Sequence, residues 1–113
     1  MHELGIARDL LALALTRAQN ARATVIEQIT IDNGVMSGVE EHALRFAFGA
    51  LAKGTAAEKA ILTIRTMPLR CQCAKCRTTF ECKMLSYSCP DCGTVSHDVR
   101  SGKELMMISL EVN

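Results

Sequence analysis

Two stretches of the chain carry apolar residues at helical spacing. The first covers residues 4–19, where Ala and Leu recur every three or four positions and also favour helix intrinsically. The second follows Ser37, and its apolar stripe ends at Leu51. Ser37 and Glu40 have the spacing of a capping box, in which each side chain accepts a hydrogen bond from a free backbone N–H, and Gly54 stands where a C-terminal cap is expected. The pattern therefore predicts two amphipathic helices.

Three further stretches have the pattern of β-strands. Residues 24–32 are rich in β-branched side chains, residues 60–67 precede a proline, and residues 104–112 alternate between two faces. Residues 32–34, Asp-Asn-Gly, are a turn signal that is expected to end the first strand. The last strand is apolar enough that it must bury a face, and residues 69–102 offer few apolar partners. We therefore expect the last strand to return and pair with the two earlier strands.

Four cysteines form two Cys-x-x-Cys pairs, Cys73 with Cys76 and Cys89 with Cys92, separated by twelve residues. Two such pairs at this separation are typical of one tetrahedral zinc site with four thiolate ligands. Because four thiolates leave zinc no open position, the site is expected to be structural rather than catalytic. Two disulfides or a redox dithiol are the alternative interpretations of the same pairs.

Cys71 and Cys82 are left over from this motif. Cys71 competes with Cys73 as a ligand, but Cys73 alone has the two-residue spacing to Cys76. The simplest interpretation makes Cys71 and Cys82 reduced thiols that bind no metal. Redox chemistry, a second metal and an alternative zinc pairing stay open for them.

His2 has an unusual position, one residue after the terminal amine. Its imidazole can join that amine and adjacent backbone amide nitrogens around one metal, a donor set that suits Ni²⁺ or Cu²⁺. Taken alone, His2 is more simply interpreted as an exposed residue. His42 and His97 are expected to be surface residues without a metal.

Charge and composition narrow the classes of partner. The chain has 113 residues, 13 basic and 12 acidic side chains, a net charge of +1 and 4% aromatic residues. This balance gives no electrostatic reason to expect nucleic acid or a membrane as partner, and no run reaches the about 20 apolar residues of a transmembrane helix. With no signal-peptide pattern at its start, we expect a cytoplasmic protein whose thiols stay reduced. The chain carries no phosphate loop, nucleophile elbow or paired carboxylates, so we expect no enzyme.

These patterns together predict an α+β fold. Two helices pack on a small three-stranded sheet, a zinc-ribbon-like lobe is inserted, and the last strand returns to the sheet. The expected boundaries are 1–68 plus 103–113 for the α/β lobe and 69–102 for the zinc lobe. Because the zinc lobe has few apolar residues, metal binding would supply most of its folding free energy, on the order of 10 kcal/mol.

Several motifs occur in order along nearly the whole chain. They are Met1-His2-Glu3-Leu4 before an apolar helix, Ser37-Gly-Val-Glu running on to Phe48, the two Cys-x-x-Cys pairs, and the closing Gly102-Lys-Glu-Leu with Ile108-Ser-Leu-Glu-Val. By this set the chain resembles the hydrogenase-maturation nickel metallochaperones of the HypA/HybF family. Each motif is common alone, whereas the ordered set is specific.

The resemblance implies a nickel metallochaperone without enzymatic activity. Its nickel donors would be the amine of Met1, the imidazole of His2 and the backbone nitrogens of His2 and Glu3, all in the α/β lobe. It would deliver Ni²⁺ to the large-subunit precursor of [NiFe]-hydrogenase together with a partner GTPase, HypB, and some relatives also serve urease. A homodimer is left open. The rival functions are a zinc-ribbon adaptor for nucleic acid or transcription machinery and a thiol oxidoreductase that uses one Cys pair.

Overall fold

The structure is a computed structural model that describes residues 2–113, with the backbone alone described at Leu85. It contains two α-helices, a short 3₁₀ helix and six strands. In chain order these are α1 (His2–Asn20), β1 (Ile26–Gly34), α2 (Glu41–Ala52), β2 (Ile61–Met67), β3 (Arg70–Gln72), β4 (Thr79–Glu81), the 3₁₀ helix (Lys83–Leu85), β5 (Val99–Ser101) and β6 (Leu105–Val112).

The strands form two three-stranded sheets, in the orders β2-β1-β6 and β4-β3-β5. The last strand therefore returns to pair with β1, as its apolar pattern predicts. Backbone hydrogen bonds at both ends show that β1 and β6 run antiparallel, from Thr24 N to Asn113 O at 3.3 Å and from Gly34 N to Glu104 O at 2.7 Å. The predicted α+β class, with two helices and a three-stranded sheet, is confirmed.

The chain divides into two compact units. The first contains residues 1–32, 39–65 and 106–113, and the second contains residues 33–38 and 66–105. The predicted lobes, 1–68 with 103–113 and 69–102, were defined by the metal that each would bind, and they stay a prediction.

The core of the first unit is built from residues at the expected helical and strand spacings. The apolar side chains of α1 recur at positions that lie on one face of a helix, and Ile29 and Ile31 of β1, two positions apart, share one face of the sheet. The buried residues are Ala7, Leu11, Ala14 and Ala18 of α1, Ile29 and Ile31 of β1, and Leu44, Ala47 and Phe48 of α2. Burial of these side chains, rather than helix propensity alone, holds α1 and α2 in place.

The predicted turn at residues 32–34 is wrong, because all three belong to β1. Asp32 is buried, and both of its carboxylate oxygens accept from the guanidinium of Arg65 on β2, at 2.7 and 3.2 Å. A buried carboxylate is tolerated when it is paired in this way. The ion pair with a neighbouring strand thus overrides the local turn preference.

The predicted capping box at Ser37 is also wrong. The N-cap of α2 is Glu40, whose carboxylate accepts from the backbone N–H of His42. Ser37 instead donates its hydroxyl hydrogen to Oδ1 of Asn33, at 2.5 Å. At the other end of α2, Gly54 follows the C-cap residue Lys53 and has a φ of 78°, the left-handed conformation expected of a terminal glycine.

The second unit has a small core that is rich in sulfur. Its buried cluster contains six residues, four of which are cysteines: Leu69, Cys71, Cys73, Phe80, Cys82 and Cys89. Tyr87 and Val99 pack against this cluster and are half-buried. A core of this size buries little apolar surface, so further stabilisation of the unit must come from its cysteines.

Candidate metal centres

The two Cys-x-x-Cys pairs fold as two copies of the same turn. The N–H of Cys73 donates to the carbonyl of Thr78 at 2.8 Å, and the N–H of Arg77 donates to the carbonyl of Cys73 at 3.0 Å. In the second copy, the N–H of Cys89 donates to Thr94 O at 2.9 Å and the N–H of Gly93 donates to Cys89 O at 2.8 Å. Each turn thus folds its backbone around the first sulfur of its pair.

A left-handed residue closes each of these turns. Arg77 has a φ of 67° and Gly93 a φ of 75°, and both follow the second cysteine of their pair directly. Glycine adopts this conformation readily, whereas arginine does so at a cost. That an arginine is held there indicates how strongly the rest of the first turn determines its shape.

The two turns bring the four sulfurs of Cys73, Cys76, Cys89 and Cys92 together. All four Sγ atoms lie within 4.8 Å of one another, with Sγ–Sγ distances of 3.5 Å from Cys73 to Cys92 and 3.6 Å from Cys76 to Cys89. A tetrahedral zinc site with Zn–S bonds of about 2.3 Å places its sulfurs about 3.8 Å apart. The arrangement therefore fits one zinc ion with four thiolate ligands.

The disulfide interpretation of these pairs does not describe the structure. All six cysteines, which lie within the described residues, are free thiols. Sulfur contacts of 3.5 Å from Cys73 to Cys92 and 3.6 Å from Cys76 to Cys89 also join one pair to the other. Contacts between the two pairs are expected when four sulfurs share one central ion, whereas a redox-active dithiol would form its disulfide within one Cys-x-x-Cys pair.

Two threonines set the charge on the more exposed sulfurs. Hydrogen bonds with the side chain and the backbone of Thr94 lower the pKa of Cys92 to about 6, and the Sγ atom of Cys92 lies 3.2 Å from the Thr94 hydroxyl oxygen. Thr78 lowers the pKa of Cys76 through the same two groups. Burial raises the pKa of Cys89 to about 11, so this thiol needs a cation to become a thiolate. A bound zinc ion supplies that cation, since thiol ligands bind zinc deprotonated.

These threonines have a sequence signal that the Cys spacing alone does not use. Each pair extends to Cys-x-x-Cys-x-Thr, ending at Thr78 and at Thr94. The repeat of this longer motif would have indicated a hydroxyl group beside the second sulfur of each pair.

At the other end of the chain, His2 and Glu3 lie in the first turn of α1. The Nδ1 atom of His2 is 3.4 Å from Oε2 of Glu3, and the same oxygen accepts from the backbone N–H of Glu40 at 3.5 Å. The side chain of His2 is 61% exposed, whereas that of Glu3 is 14% exposed. The Glu3 backbone N–H, above all, lowers the pKa of its own carboxyl group, with help from Glu40 N–H and from His2.

The backbone amides of His2 and Glu3 lie in the first turn of α1, outside the hydrogen bonds of the helix itself. The first four N–H groups of an α-helix have no acceptor within the helix. A metal that takes the amide nitrogens of His2 and Glu3 would therefore break no helical hydrogen bond. Met1, the remaining residue expected at a nickel site, lies outside the described residues.

The other candidate residues lie elsewhere. His42 is exposed on α2, and the His97 ring packs 4.4 Å from that of Tyr87. Cys71 and Cys82 are buried with their sulfurs 3.3 Å apart, outside the group of four. Within the described part of the chain, a metal-type group of three or more side chains forms at Cys73, Cys76, Cys89 and Cys92.

None of the described helices is long and apolar enough to cross a lipid bilayer.

Comparison with known proteins places these two regions in a family. Residues 1–112 match the family model described as hydrogenase/urease nickel incorporation, metallochaperone, HypA. The chain is 45% identical over 112 residues to the hydrogenase maturation factor HypA of Picosynechococcus sp., covering 99% of each chain. It is 36% identical to HypA of Aquifex aeolicus over 99% of this chain and 97% of the relative.

Solved structures agree with the sequence relatives. The solution structure of the Ni metallochaperone HypA from Helicobacter pylori superposes with a TM-score of 0.71 at 26% identity, covering 99% of this chain and 97% of that one. A second solution structure of a HypA protein gives a TM-score of 0.75, also at 26% identity, over 100% of this chain and 97% of the other.

Proposed function

We propose how this chain works from the premise that it belongs to the HypA family of hydrogenase/urease nickel-incorporation metallochaperones. It is a nickel metallochaperone of hydrogenase maturation, with a four-cysteine site suited to structural zinc. The match of residues 1–112 to this family is the observation that carries the conclusion. Neither a zinc-ribbon adaptor nor a thiol oxidoreductase gains support from these relatives.

Nickel binds at the beginning of the chain in our proposal. The donors are the amine of Met1, the imidazole of His2 and the backbone nitrogens of His2 and Glu3. The exposed ring of His2 supports this assignment, as does the place of both amides in the first helical turn, where they have no acceptor within the helix. A square-planar set of nitrogen donors suits Ni²⁺ better than Zn²⁺. Glu3 would orient the complex, because its carboxylate is near both the His2 ring and the start of α2.

Zinc is held by Cys73, Cys76, Cys89 and Cys92 in the same proposal. The close approach of the four sulfurs supports this assignment. Bound there, the ion would join the two Cys turns and stabilise residues 66–105. A closed set of four protein ligands has no position for a substrate, so its role is structural.

The two sites differ in how easily a metal can leave. A four-thiolate zinc site holds its ion from all sides, and two of its sulfurs, those of Cys73 and Cys89, are buried. Among the described residues, the proposed nickel donors belong to His2 and Glu3 in the first turn of α1, and the His2 ring is exposed, so an acceptor protein can replace them one at a time. In this proposal nickel is the metal that is transferred, and zinc stays bound. The protein passes nickel on by ligand exchange without catalysing a reaction on a substrate.

The partners follow from this role. The acceptor is the large-subunit precursor of a [NiFe]-hydrogenase, and the GTPase HypB is the partner that acts with the chain in delivery. Both would be met in the cytoplasm. The proposal holds for a monomer and for a homodimer alike, and a urease precursor is a second acceptor consistent with the family's description.

The function is tested in the source organism with its own gene deleted. We expect the hydrogenase large subunit to lack nickel and activity in that strain, and excess nickel salt to restore part of both. The native chain and His42→Ala should restore activity fully at ordinary nickel, whereas His2→Ala should not. Nickel content of the purified large subunit, measured by mass spectrometry, is the readout. A fully nickel-loaded large subunit in the deletion strain would contradict the proposed function.

A further inference from the structure

Cys71 and Cys82 form a close pair of thiols that the metal centres do not use. Their Sγ atoms are 3.3 Å apart, and neither belongs to the group of four sulfurs. Cys71 is fully buried and Cys82 is 6% exposed. Two cysteines that only fill space need not bring their sulfurs together, so the pairing itself calls for an explanation.

The sheet of the second unit creates this pair. In the antiparallel ladder of β3 and β4, Cys71 lies opposite Phe80. The ladder extends one step further, because the N–H of Cys82 donates to the carbonyl of Leu69 at 2.8 Å. Side chains two positions apart on a strand share a face, so Cys82 is on the face of Phe80 and diagonal to Cys71. The strand register, rather than chance rotamers, sets the two sulfurs side by side.

A surface cavity of about 340 Å³ gives solvent a route to one member of the pair. Its walls are formed by Val35, Pro68, Leu69, Glu81, Cys82, Lys83 and Met84. Cys82 therefore contributes to the cavity wall, whereas Cys71 does not and lies behind it. The next residues, Lys83 and Met84, are exposed, and Met84 at 99% exposure offers no cover to the opening. A small solute that enters the cavity meets Cys82 first.

We propose that Cys82 and Cys71 are a modification site for hydroperoxides, with Cys82 as the attacked thiol and Cys71 as the resolving thiol. With hydrogen peroxide, the sulfur of Cys82 attacks one oxygen, the O–O bond breaks, and the departing hydroxide takes up the thiol proton, so that a sulfenic acid and one water form. The sulfur of Cys71 then attacks the sulfenic sulfur, the S–O bond breaks, and a second water leaves with the proton of the Cys71 thiol. The two thiols lose two electrons and two protons, and the peroxide is reduced.

The surroundings of the pair make this a slow site that responds to sustained peroxide. Burial, with the neighbouring Cys71, raises the pKa of Cys82 to about 11, so little reactive thiolate is present at neutral pH. Closing the disulfide shortens the Sγ–Sγ distance from 3.3 Å to about 2.05 Å, which two side chains can share. The reaction takes no sulfur from Cys73, Cys76, Cys89 or Cys92, so it leaves the proposed zinc ligands intact.

The disulfide would have a local consequence. It would close a loop of residues 71–82, and this loop contains Cys73 and Cys76, half of the four-sulfur group. The disulfide would reduce the number of conformations that this loop can adopt when it opens. We therefore expect zinc to pass more slowly to a chelator from the oxidised chain than from the reduced chain.

The test treats the zinc-loaded native chain with hydrogen peroxide, blocks free thiols by alkylation and maps the peptides by mass spectrometry. We expect a cross-linked peptide joining Cys71 to Cys82, two hydrogens lighter than the reduced pair, to form while zinc remains bound. In Cys71→Ser, a sulfenic acid at Cys82 should be trapped by dimedone, and in Cys82→Ser no oxidation should occur at Cys71. Peptide mapping of the native chain decides the question even if a variant folds poorly.

Two results would overturn the proposal. One is oxidation of the four-sulfur group, with zinc released, before any link from Cys71 to Cys82 forms. The other is a pair that stays fully reduced after the zinc site has been oxidised. The nickel function is independent of either result, because it does not involve these thiols.

Discussion

At the scale of single residues, the two threonines beside the second cysteine of each pair distinguish the two kinds of sulfur. Thr78 and Thr94 lower the pKa of the exposed Cys76 and Cys92 thiols, whereas burial raises that of Cys89. The exposed thiols therefore lose their protons more easily and can bind a cation as thiolates. The buried thiol of Cys89 needs the bound cation in order to lose its proton. Zinc loading is expected to proceed from the exposed sulfurs inward.

Substitution of single cysteines tests the zinc assignment. We expect Cys73→Ser to lose zinc, because three thiolates and a hydroxyl bind the ion far less tightly than four thiolates. Cys71→Ser is the matched control, since Cys71 is two residues away, equally buried and outside the group of four. It should keep one zinc ion per chain by atomic absorption. Zinc content reduced by half in Cys71→Ser would show that the register of the ligands is wrong.

The residue scale also shows how far sequence reasoning reaches. The four clustered cysteines are those that the spacing predicts, because the backbone of a Cys-x-x-Cys turn has little choice in where it directs its sulfurs. His2 was different: its residue type and position favoured an ordinary exposed side chain, and only the family resemblance indicated nickel. The contact between Cys71 and Cys82 depends on strand register, which no local pattern in the sequence states.

At the scale of elements, the backbone at Gly34 lies in close contact with the backbone at Gly102 in the second unit. A Cβ atom at Gly34, the last residue of β1, would lie 2.2 Å from the carbonyl oxygen of Gly102. Gly102 has a φ of 110°, and its own Cβ would lie 2.5 Å from Cα of Leu69. No side chain can move aside here, because the clashing atoms are backbone. Gly34 and Gly102 are therefore glycines for reasons of space, and at Gly102 also of conformation.

Gly34→Ala should accordingly destabilise the chain by about 2 kcal/mol or more, since the two backbones must separate. The matched control is Gly49→Ala on the exposed face of α2, where a Cβ meets nothing within 4 Å. That change should stabilise the chain by about 0.5–1 kcal/mol, the usual gain from replacing a helical glycine. Urea unfolding of the zinc-loaded variants measures both. Equal stabilities of the two variants would contradict the described contact.

Element boundaries were predicted less well than element types. Both helices and three of the strands lie where the apolar pattern predicts, because those patterns reflect burial in the first unit. The turn signal at residues 32–34 failed because Asp32 is paired with Arg65 of another strand. The capping box failed because Glu40, three residues later, caps α2 instead of Ser37. The first contact joins residues far apart in sequence, and in the second case two neighbouring residues could each serve as the N-cap.

At the scale of the whole molecule, the chain contains two compact units with different sources of stability. The core of the first is formed by apolar side chains of α1, α2 and the β2-β1-β6 sheet. The core of the second consists largely of cysteine side chains, and its strands are short. A unit with so few apolar residues has to draw its stability from bound metal. The two units should therefore respond differently to a chelator.

Hydrogen exchange after zinc removal tests this difference. We expect the amides of β3, β4 and β5 to lose their protection when a chelator strips the zinc ion, because the folding free energy of this unit is that of zinc binding. Peptides from α1 and α2 should keep their protection and serve as the internal control. If β3–β5 stayed as protected as before, zinc would not be the structural clip that the four sulfurs indicate.

The organisation of the whole chain was partly readable from the sequence. The return of the last strand followed from its apolar pattern and is confirmed by its pairing with β1. The grouping of residues 33–38 with residues 66–105 was not foreseen. It rests on backbone hydrogen bonds from Val35 N to Met67 O and from Met36 N to Gly102 O, at 2.9 and 2.7 Å. These hydrogen bonds join backbone groups of residues far apart in sequence, and so no local pattern predicts them.

The central claim is that nickel is bound at the beginning of the chain, through His2. Its most direct test is a calorimetric titration of the zinc-loaded chain with Ni²⁺, compared with His2→Ala, His42→Ala and a chain with extra residues ahead of Met1. The native chain and His42→Ala, which removes another exposed imidazole, should bind nickel alike. His2→Ala and the extended chain should bind at least about tenfold more weakly, since each removes a donor. If both bind nickel as tightly as the native chain, the site is not at Met1, His2 and Glu3.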